Sequence, residues 1–550
     1  MIIDLLKNNK KIVFILLVGL IFCSSLLTRY FIYQAKGFVS TTYHHLIIAR
    51  NWAETGYLAF ESKDNVLLSP ERVAVEGVPT NIGNKLTFFI YGLIFRYFGF
   101  HADWPLYISF ILNSLTAVIF FLTVQRLYSL RVGLIAAFLS MLAPFSLPST
   151  NTVGSLEWAW LFLAMAIFCY FWPRERRWTY LVLTGLFLGL SAAAKNSYFI
   201  AFFPIVAMDL WLARTDIKTA LWRSVLFAVV FSLVVLPVTF IGGNVYLSDV
   251  FGQPNAYVES TAVFGHLFPD TYIYNYGRAD YLTKLLTEKN RSFGDSFRFW
   301  GDSGSFLQEY GVPLSFFKTE IVTRIYSAWI YFKGLFLSLV VFGGALTWFF
   351  ILLGVWALRE QKKKEIILFL GSFIFFWFFL LIALRTSNYV QLAIIAFPVS
   401  LAVAVGLDKL ATIISSSGFS SKLPAPRIEL AIIALFLLFF AQISWWDIRE
   451  LSLGFDSVKN TIATIKSRSW PCQSDKWGVV MVNERAGYLN YYANCSEIKL
   501  SALTIKNLAD QNKLDSVLRR YGVVAYFGYD EATLEILRRQ AKNLEEYKIN

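Results

Sequence analysis

Residues 179–213 read TYLVLTGLFLGLSAAAKNSYFIAFFPIVAMDLWLA. Two apolar runs, 179–195 and 197–213, meet at Lys195, and basic clusters flank the pair: Arg174–Arg177 before it and Arg214–Arg223 after it. About 20 consecutive apolar residues suffice to cross a bilayer as a helix. Lys and Arg gather in cytoplasmic connections. The stretch therefore reads as a helical hairpin that crosses a membrane twice, with both basic ends inside and Lys195 at the outer turn.

The rest of the 550 residues has the same character. The chain is 56% hydrophobic, 18% aromatic and only 16% charged, with 52 Phe and 17 Trp and a mean hydropathy of +0.53. A soluble globular protein averages about 45–50% apolar and about 25% charged. That excludes a secreted soluble enzyme, a disordered chain and a fibrous one. The net charge of +13 is read as a topology signal of cytoplasmic loops, not as a nucleic-acid surface, because no Lys/Arg-rich helix or aromatic RNA-binding motif accompanies it.

Working outward, Lys7, Lys10 and Lys11 precede the apolar run Ile12–Tyr33. It is longer than the ~7–15-residue core of a signal peptide and no clear cleavage site follows, so it reads as an uncleaved first helix with a cytoplasmic N-terminus. Leu86–Phe100, interrupted by Arg96, is assigned to the interface as a short amphipathic segment, because counting it as a span would turn Arg126 and Arg131 outward. Residues 34–104 then form a long first external loop. Further spans are predicted at 105–125, 132–149, 154–172, 179–195, 197–213, 221–243, 333–357, 366–384, 390–411 and 428–447, with a second large external loop at 244–330. The expected fold is a polytopic α-helical membrane protein of about eleven transmembrane helices over 1–447, N-terminus in the cytoplasm.

Residues 448–550 change character. WGVVMV (Trp477–Val482) and GVVAYF (Gly522–Phe527) read as short strands, and Asp515–Arg520 and Glu531–Leu544 as amphipathic helices. Alternation of this kind predicts a small extracytoplasmic α/β domain. Cys23 and Cys169 fall in apolar runs, whereas Cys472 and Cys495 fall in this tail; in an oxidising compartment they are a plausible disulfide.

Candidate functional residues cluster on the external side. Thr41–Asn51 reads TTYHHLIIARN: Leu46, Ile47, Ala49 and Trp52 make an apolar helix face and leave Tyr43, His44 and Arg50 more exposed. Adjacent histidines point about 100° apart on a helix and rarely share one metal. Glu157 opens the fourth span, Lys195 ends the fifth and Arg385 ends the ninth. Charges at membrane edges are costly unless paired or solvated, so a shared anion site is the default reading for such groups, against the alternatives of snorkelling cations and a helix N-terminal acid. Lys and Arg there suit a phosphate. Glu259, Asp270 and Asp280 are the acids of the second loop, with solvated loop charges as the plainer alternative.

Four places give the chain a resemblance to the C-type glycosyltransferase superfamily (GT-C fold), to which protein O-mannosyltransferases and lipid A aminoarabinose transferases belong. Tyr43–Gly56 resembles the amphipathic helix of the family's first external loop. Pro79-Thr80-Asn81 with Phe88–Gly99 resembles its second juxtamembrane segment. GLFLGLSAAAK (Gly185–Lys195) is similar to its Gly-Leu-x-x-Gly-Leu…Lys/Arg helix, and RTSNYVQLAIIAFP (Arg385–Pro398) to its late Arg…Tyr…Pro segment. A soluble domain after the last helix also occurs in that superfamily.

The resemblance implies a sugar transferase that takes its sugar from a polyprenyl-phosphate donor and passes it to a lipid, glycan or protein acceptor on the periplasmic face of a bacterial-type inner membrane, as in lipopolysaccharide or glycan modification. Lys195 and Arg385 would bind the donor phosphate, and Tyr43, Arg50, Glu259 and Tyr389 the substrates. The family places an acid just before its first-loop helix; here that stretch is Ser40-Thr41-Thr42. The acidic role then falls to Glu76, to His44, or to Glu157, which matches the acid the family often carries at the start of its fourth helix. A divalent cation could share the task, yet no external Asp/His cluster demands one. Two other readings stay open: a non-catalytic lipid-binding or assembly protein that lost its acid, and a transporter or flippase. Against the last stand the lack of broken mid-membrane helix pairs and of a two-fold hydropathy repeat.

Overall fold

The computed structural model describes residues 10–240 and 344–547, apart from the connecting stretches 37–39, 42, 57–58, 62–67, 77, 80–84, 143–151, 155, 173–176, 213–215, 385–388, 417–423, 453–455, 471–477, 483–487, 501, 528 and 541–544. The second external loop, with Glu259, lies outside the described residues, as do Arg385 and Cys472.

In hydrocarbon every backbone N–H and C=O must be satisfied within the segment, so apolar runs of this length fold as helices. Helices Lys10–Lys36, Trp104–Leu127, Leu130–Leu142, Leu156–Tyr170, Arg177–Ala194, Phe202–Leu212, Ile217–Phe240, Gly344–Glu360, Lys364–Leu384, Tyr389–Ser416 and Ala425–Ser452 take up the described parts of the predicted runs; residues 143–149 and 333–343 of those runs lie outside the described residues. Five of the described helices are long and apolar enough to cross a membrane on their own. The molecule is thus a helical multi-pass membrane protein. Leu86–Phe100 is also helical, as Lys85–Phe98, and at 14 residues it rises about 21 Å, short of the ~30 Å hydrocarbon core. Leu93, Tyr97 and Phe98 on it remain exposed.

The bundle is packed closely where glycines allow it. A Cβ at Gly406 would lie 2.0 Å from the Phe350 carbonyl oxygen, and one at Gly354 would lie 2.0 Å from that of Ala402. Helices Gly344–Glu360 and Tyr389–Ser416 therefore meet backbone to backbone. At one end of the bundle, polar side chains tie the helices together. Arg131 pairs with Asp408 at 2.8 Å and with Glu429, Lys409 pairs with Glu360 at 2.7 Å, and the Gln361 amide donates to the Tyr128 hydroxyl at 2.6 Å.

Among the described residues four short strands precede the tail, β1 (Ser40–Thr41), β2 (Ala59–Glu61), β3 (Val78–Pro79) and β4 (Thr152–Val153), and the tail carries a four-stranded parallel sheet of β5 (Val479–Val482), β6 (Ser496–Lys499), β7 (Val523–Phe527) and β8 (Glu545–Tyr547), in the order β6-β5-β7-β8. Parallel strands need covered crossovers, supplied here by helices Tyr488–Ala493, Ala502–Asp510, Leu514–Tyr521 and Glu531–Gln540. Gly522 ends the third of these with a positive φ of 62°, the left-handed cap for which glycine is suited. Cys495 is buried and disulfide-bonded, while Cys23 and Cys169 are free.

The first loop is held between the two parts. Helix Tyr43–Thr55 packs on Lys85–Phe98, with the Trp52 and Phe89 rings edge to face at 5.1 Å. Leu68 and Val73, at the start and middle of the segment containing helix Pro70–Glu76, join the apolar core of the tail with Met481, Ile498 and Leu518.

Candidate active site

The decisive geometry lies at the other end of the bundle. Strand β1 (Ser40–Thr41) pairs in parallel with β4 (Thr152–Val153), which joins the start of the first loop to the turn before helix Leu156–Tyr170. Gly154 follows with a φ of 134°, a region open to glycine, and its N–H donates to Glu157 Oε1 at 2.7 Å. The Tyr91 hydroxyl, from helix Lys85–Phe98, donates to the same oxygen at 2.9 Å. Glu157 is 1% exposed, and its second oxygen, Oε2, has no hydrogen-bond partner among the described residues.

Helix Arg177–Ala194 brings Lys195 to this carboxylate. The Ser191 hydroxyl donates to the Ala159 carbonyl at 2.7 Å, and the Thr87 hydroxyl donates to the Ala194 carbonyl at 3.2 Å. Three helices are thereby fixed around one point. The Lys195 ammonium, partly buried, is in electrostatic range of Glu157 without a direct ion pair among the described residues. A carboxylate held by one oxygen, its other oxygen free, beside an ammonium can take a proton from an incoming hydroxyl while the cation faces a departing anion.

Other expectations fare differently. Arg50, read as exposed, is 1% exposed. Its guanidinium donates to the Asn490 carbonyl at 2.7 Å, the Asn490 Oδ1 at 2.8 Å and the Asn51 Oδ1 at 3.2 Å, and it lies 5.6 Å from the centre of the Phe100 ring. Burial lowers it to about 10, opposed by Glu54, Tyr491 and Glu71, so it remains charged at neutral pH. Its described bonds join the first loop to the tail, and that correction follows from partners 440 residues away. Tyr43 and His44 begin helix Tyr43–Thr55 as expected, Glu76 ends Pro70–Glu76 and Tyr389 begins Tyr389–Ser416; their side chains are not among those described. Glu259, Arg385 and Cys472 lie outside the described residues altogether. Among the described residues no three His, Cys, Asp or Glu side chains gather as a metal site.

Tyr91 and Tyr198 were not singled out in the sequence. Both sit inside apolar runs and look like lipid-facing or core aromatics; the one signal for Tyr198 is its position three residues after Lys195.

No protein-family model and no curated protein sequence matches the chain. Solved structures do. The oligosaccharyltransferase AglB of Archaeoglobus fulgidus, in complex with an inhibitory peptide and a dolichol-phosphate, superposes with a TM-score of 0.51 at 14% identity over 92% of this chain and 68% of its own. The chain has the C-type glycosyltransferase fold. The same archaeal enzyme tethered to an acceptor peptide gives 0.50 at 15% identity over the same shares. ArnT of Cupriavidus metallidurans bound to undecaprenyl phosphate gives 0.48 at 12% identity over 97% of this chain and 89% of its own. The Ser40–Thr41 strand is paired with Thr152–Val153, immediately before the Gly154 turn that holds Glu157.

Proposed function

We propose that the chain is a membrane glycosyltransferase that moves a sugar from a polyprenyl-phosphate donor to a lipid, glycan or protein acceptor on the extracytoplasmic face of a bacterial-type inner membrane. The observation that carries this reading is the buried Glu157 with one oxygen fixed and one free, beside Lys195 and next to the strand that replaces the missing acid.

In the proposed step the acceptor hydroxyl gives its proton to Glu157 Oε2. Its oxygen forms the new bond to the anomeric carbon. The bond from that carbon to the phosphate oxygen breaks, its electron pair leaving with the polyprenyl phosphate. Lys195 opposes the charge that develops there, an electrostatic contribution that counts most where water is excluded. Glu76 and His44 remain alternative bases, and Arg385 a second phosphate ligand. Tyr43, Arg50, Glu259 and Tyr389 remain proposed substrate contacts, with Arg50 the least available because its donors are engaged. A Cys472–Cys495 disulfide would brace the tail.

The test is release of polyprenyl phosphate from radiolabelled polyprenyl-phosphate sugars by purified protein supplied with membrane acceptors. Wild type turns over and Glu157→Gln falls by about 10²- to 10⁴-fold, the usual worth of a positioned base. Binding of polyprenyl phosphate without any release, across many donors and acceptors, would replace this reading by the non-catalytic one.

A further inference from the structure

The cluster contains one buried polar group that the step above leaves unused. Tyr198 is 0% exposed, and its hydroxyl has no hydrogen-bond partner among the described residues. Leaving a buried hydroxyl unpaired is costly, so such a group marks a place where a partner is expected. It belongs to the 3₁₀ helix Asn196–Ala201, to which Lys195 is the N-terminal flank. Its backbone N–H donates to the Lys195 carbonyl at 2.9 Å. Lys195 itself is extended (φ −147°, ψ 111°), and this backbone bond fixes it one turn from Tyr198. Both are in electrostatic range of Glu157, yet neither bonds it directly among the described residues.

Charge decides what fits between them. Lys195 faces an acid, so the pair brings no surplus positive charge to an anion. A neutral O–H donor adds hydrogen-bonding capacity for a phosphate oxygen without altering that balance. Hydrogen bonds to a charged acceptor are also the stronger kind. Lys195 keeps partial exposure while Tyr198 and Glu157 have almost none, which puts the approach to the site on the lysine side.

We infer that the Tyr198 hydroxyl is a second donor to the phosphate oxygen faced by Lys195, a binding residue for the headgroup of the lipid donor. The inference rests on the proposed use of Lys195 as a phosphate ligand and adds a neutral partner to it. Its test uses purified full-length protein in nanodiscs titrated with undecaprenyl phosphate and, separately, with undecaprenol. Tyr198→Phe removes one oxygen and keeps the ring; it weakens undecaprenyl phosphate about 10- to 100-fold, as expected for a hydrogen bond to a charged group, and leaves undecaprenol unchanged. Equal weakening for both lipids would mean lost packing and overturn the inference. Unchanged phosphate affinity in Tyr198→Phe with a loss in Lys195→Met would overturn the Tyr198 role and leave the lysine's intact. No change in either variant would remove both.

Discussion

Replacing Arg50 by Met tests how the tail and the first loop are joined. The substitution keeps an apolar stem and deletes the guanidinium that donates to the Asn490 carbonyl at 2.7 Å and to the Asn490 Oδ1 at 2.8 Å. Asn490 is itself fully engaged. Its amide donates to the Leu68 carbonyl at 2.8 Å and the Cys495 carbonyl at 2.9 Å, and its N–H to Glu497 Oε2 at 3.0 Å. The buried Asn490 Oδ1 would be orphaned, at roughly 1–3 kcal/mol, while the Asn490 carbonyl keeps the Asn494 N–H at 3.1 Å. Relief from burying the cation offsets part of this, which leaves about 1–2 kcal/mol. Limited proteolysis of the detergent-solubilised protein should show the tail cleaved faster, and Asn490→Ala added to Arg50→Met should cost less than the sum of the two, because neighbours in one network couple. Arg50→Lys should rescue little, since an ammonium cannot reproduce a planar fork. Unchanged protease resistance in Arg50→Met, or strict additivity with Asn490→Ala, would refute the reasoning.

Gly406→Ala should lower the melting temperature of the membrane part, because its Cβ meets a backbone oxygen 2.0 Å away and overpacking costs about 1–3 kcal/mol; an unshifted thermal melt would contradict the close approach. Tyr91→Phe should keep the fold and reduce turnover about tenfold, less than Glu157→Gln, since Gly154 still holds the carboxylate; a steady-state assay measures both. Lys195→Ala should abolish transfer with membrane insertion intact, as seen by comparing activity with the amount of protein in purified membranes.

The apolar runs carried most of the membrane fold, because hydrocarbon imposes helix on any such run. The short Lys85–Phe98 helix was legible as an apolar run; its assignment to the interface rests on a charge argument about Arg126 and Arg131 alone. In the tail, β5 and β7 were readable because they are apolar and buried. Strands β6 (SEIK) and β8 (EEY) were not, since their pairing rather than their composition makes them strands. Glu157 and Lys195 stood out as charges at membrane edges. What brings them together is the two-residue pairing of Ser40–Thr41 with Thr152–Val153 and the hydroxyls of Tyr91, Thr87 and Ser191, none of which has a local signature. Arg50 misled for the same reason: an amphipathic pattern places it at a polar face, but its partner surface comes from the far end of the chain.

The proposed step requires Lys195 to face the phosphate of a lipid-linked donor and Glu157 to face the reacting hydroxyl of the acceptor. A map of the full-length protein with bound undecaprenyl phosphate tests it most directly. The phosphate should lie within hydrogen-bond reach of the Lys195 ammonium, on the side of Glu157 that carries the free oxygen. A phosphate seated elsewhere in the membrane part, with Glu157 and Lys195 closed upon each other, would contradict it.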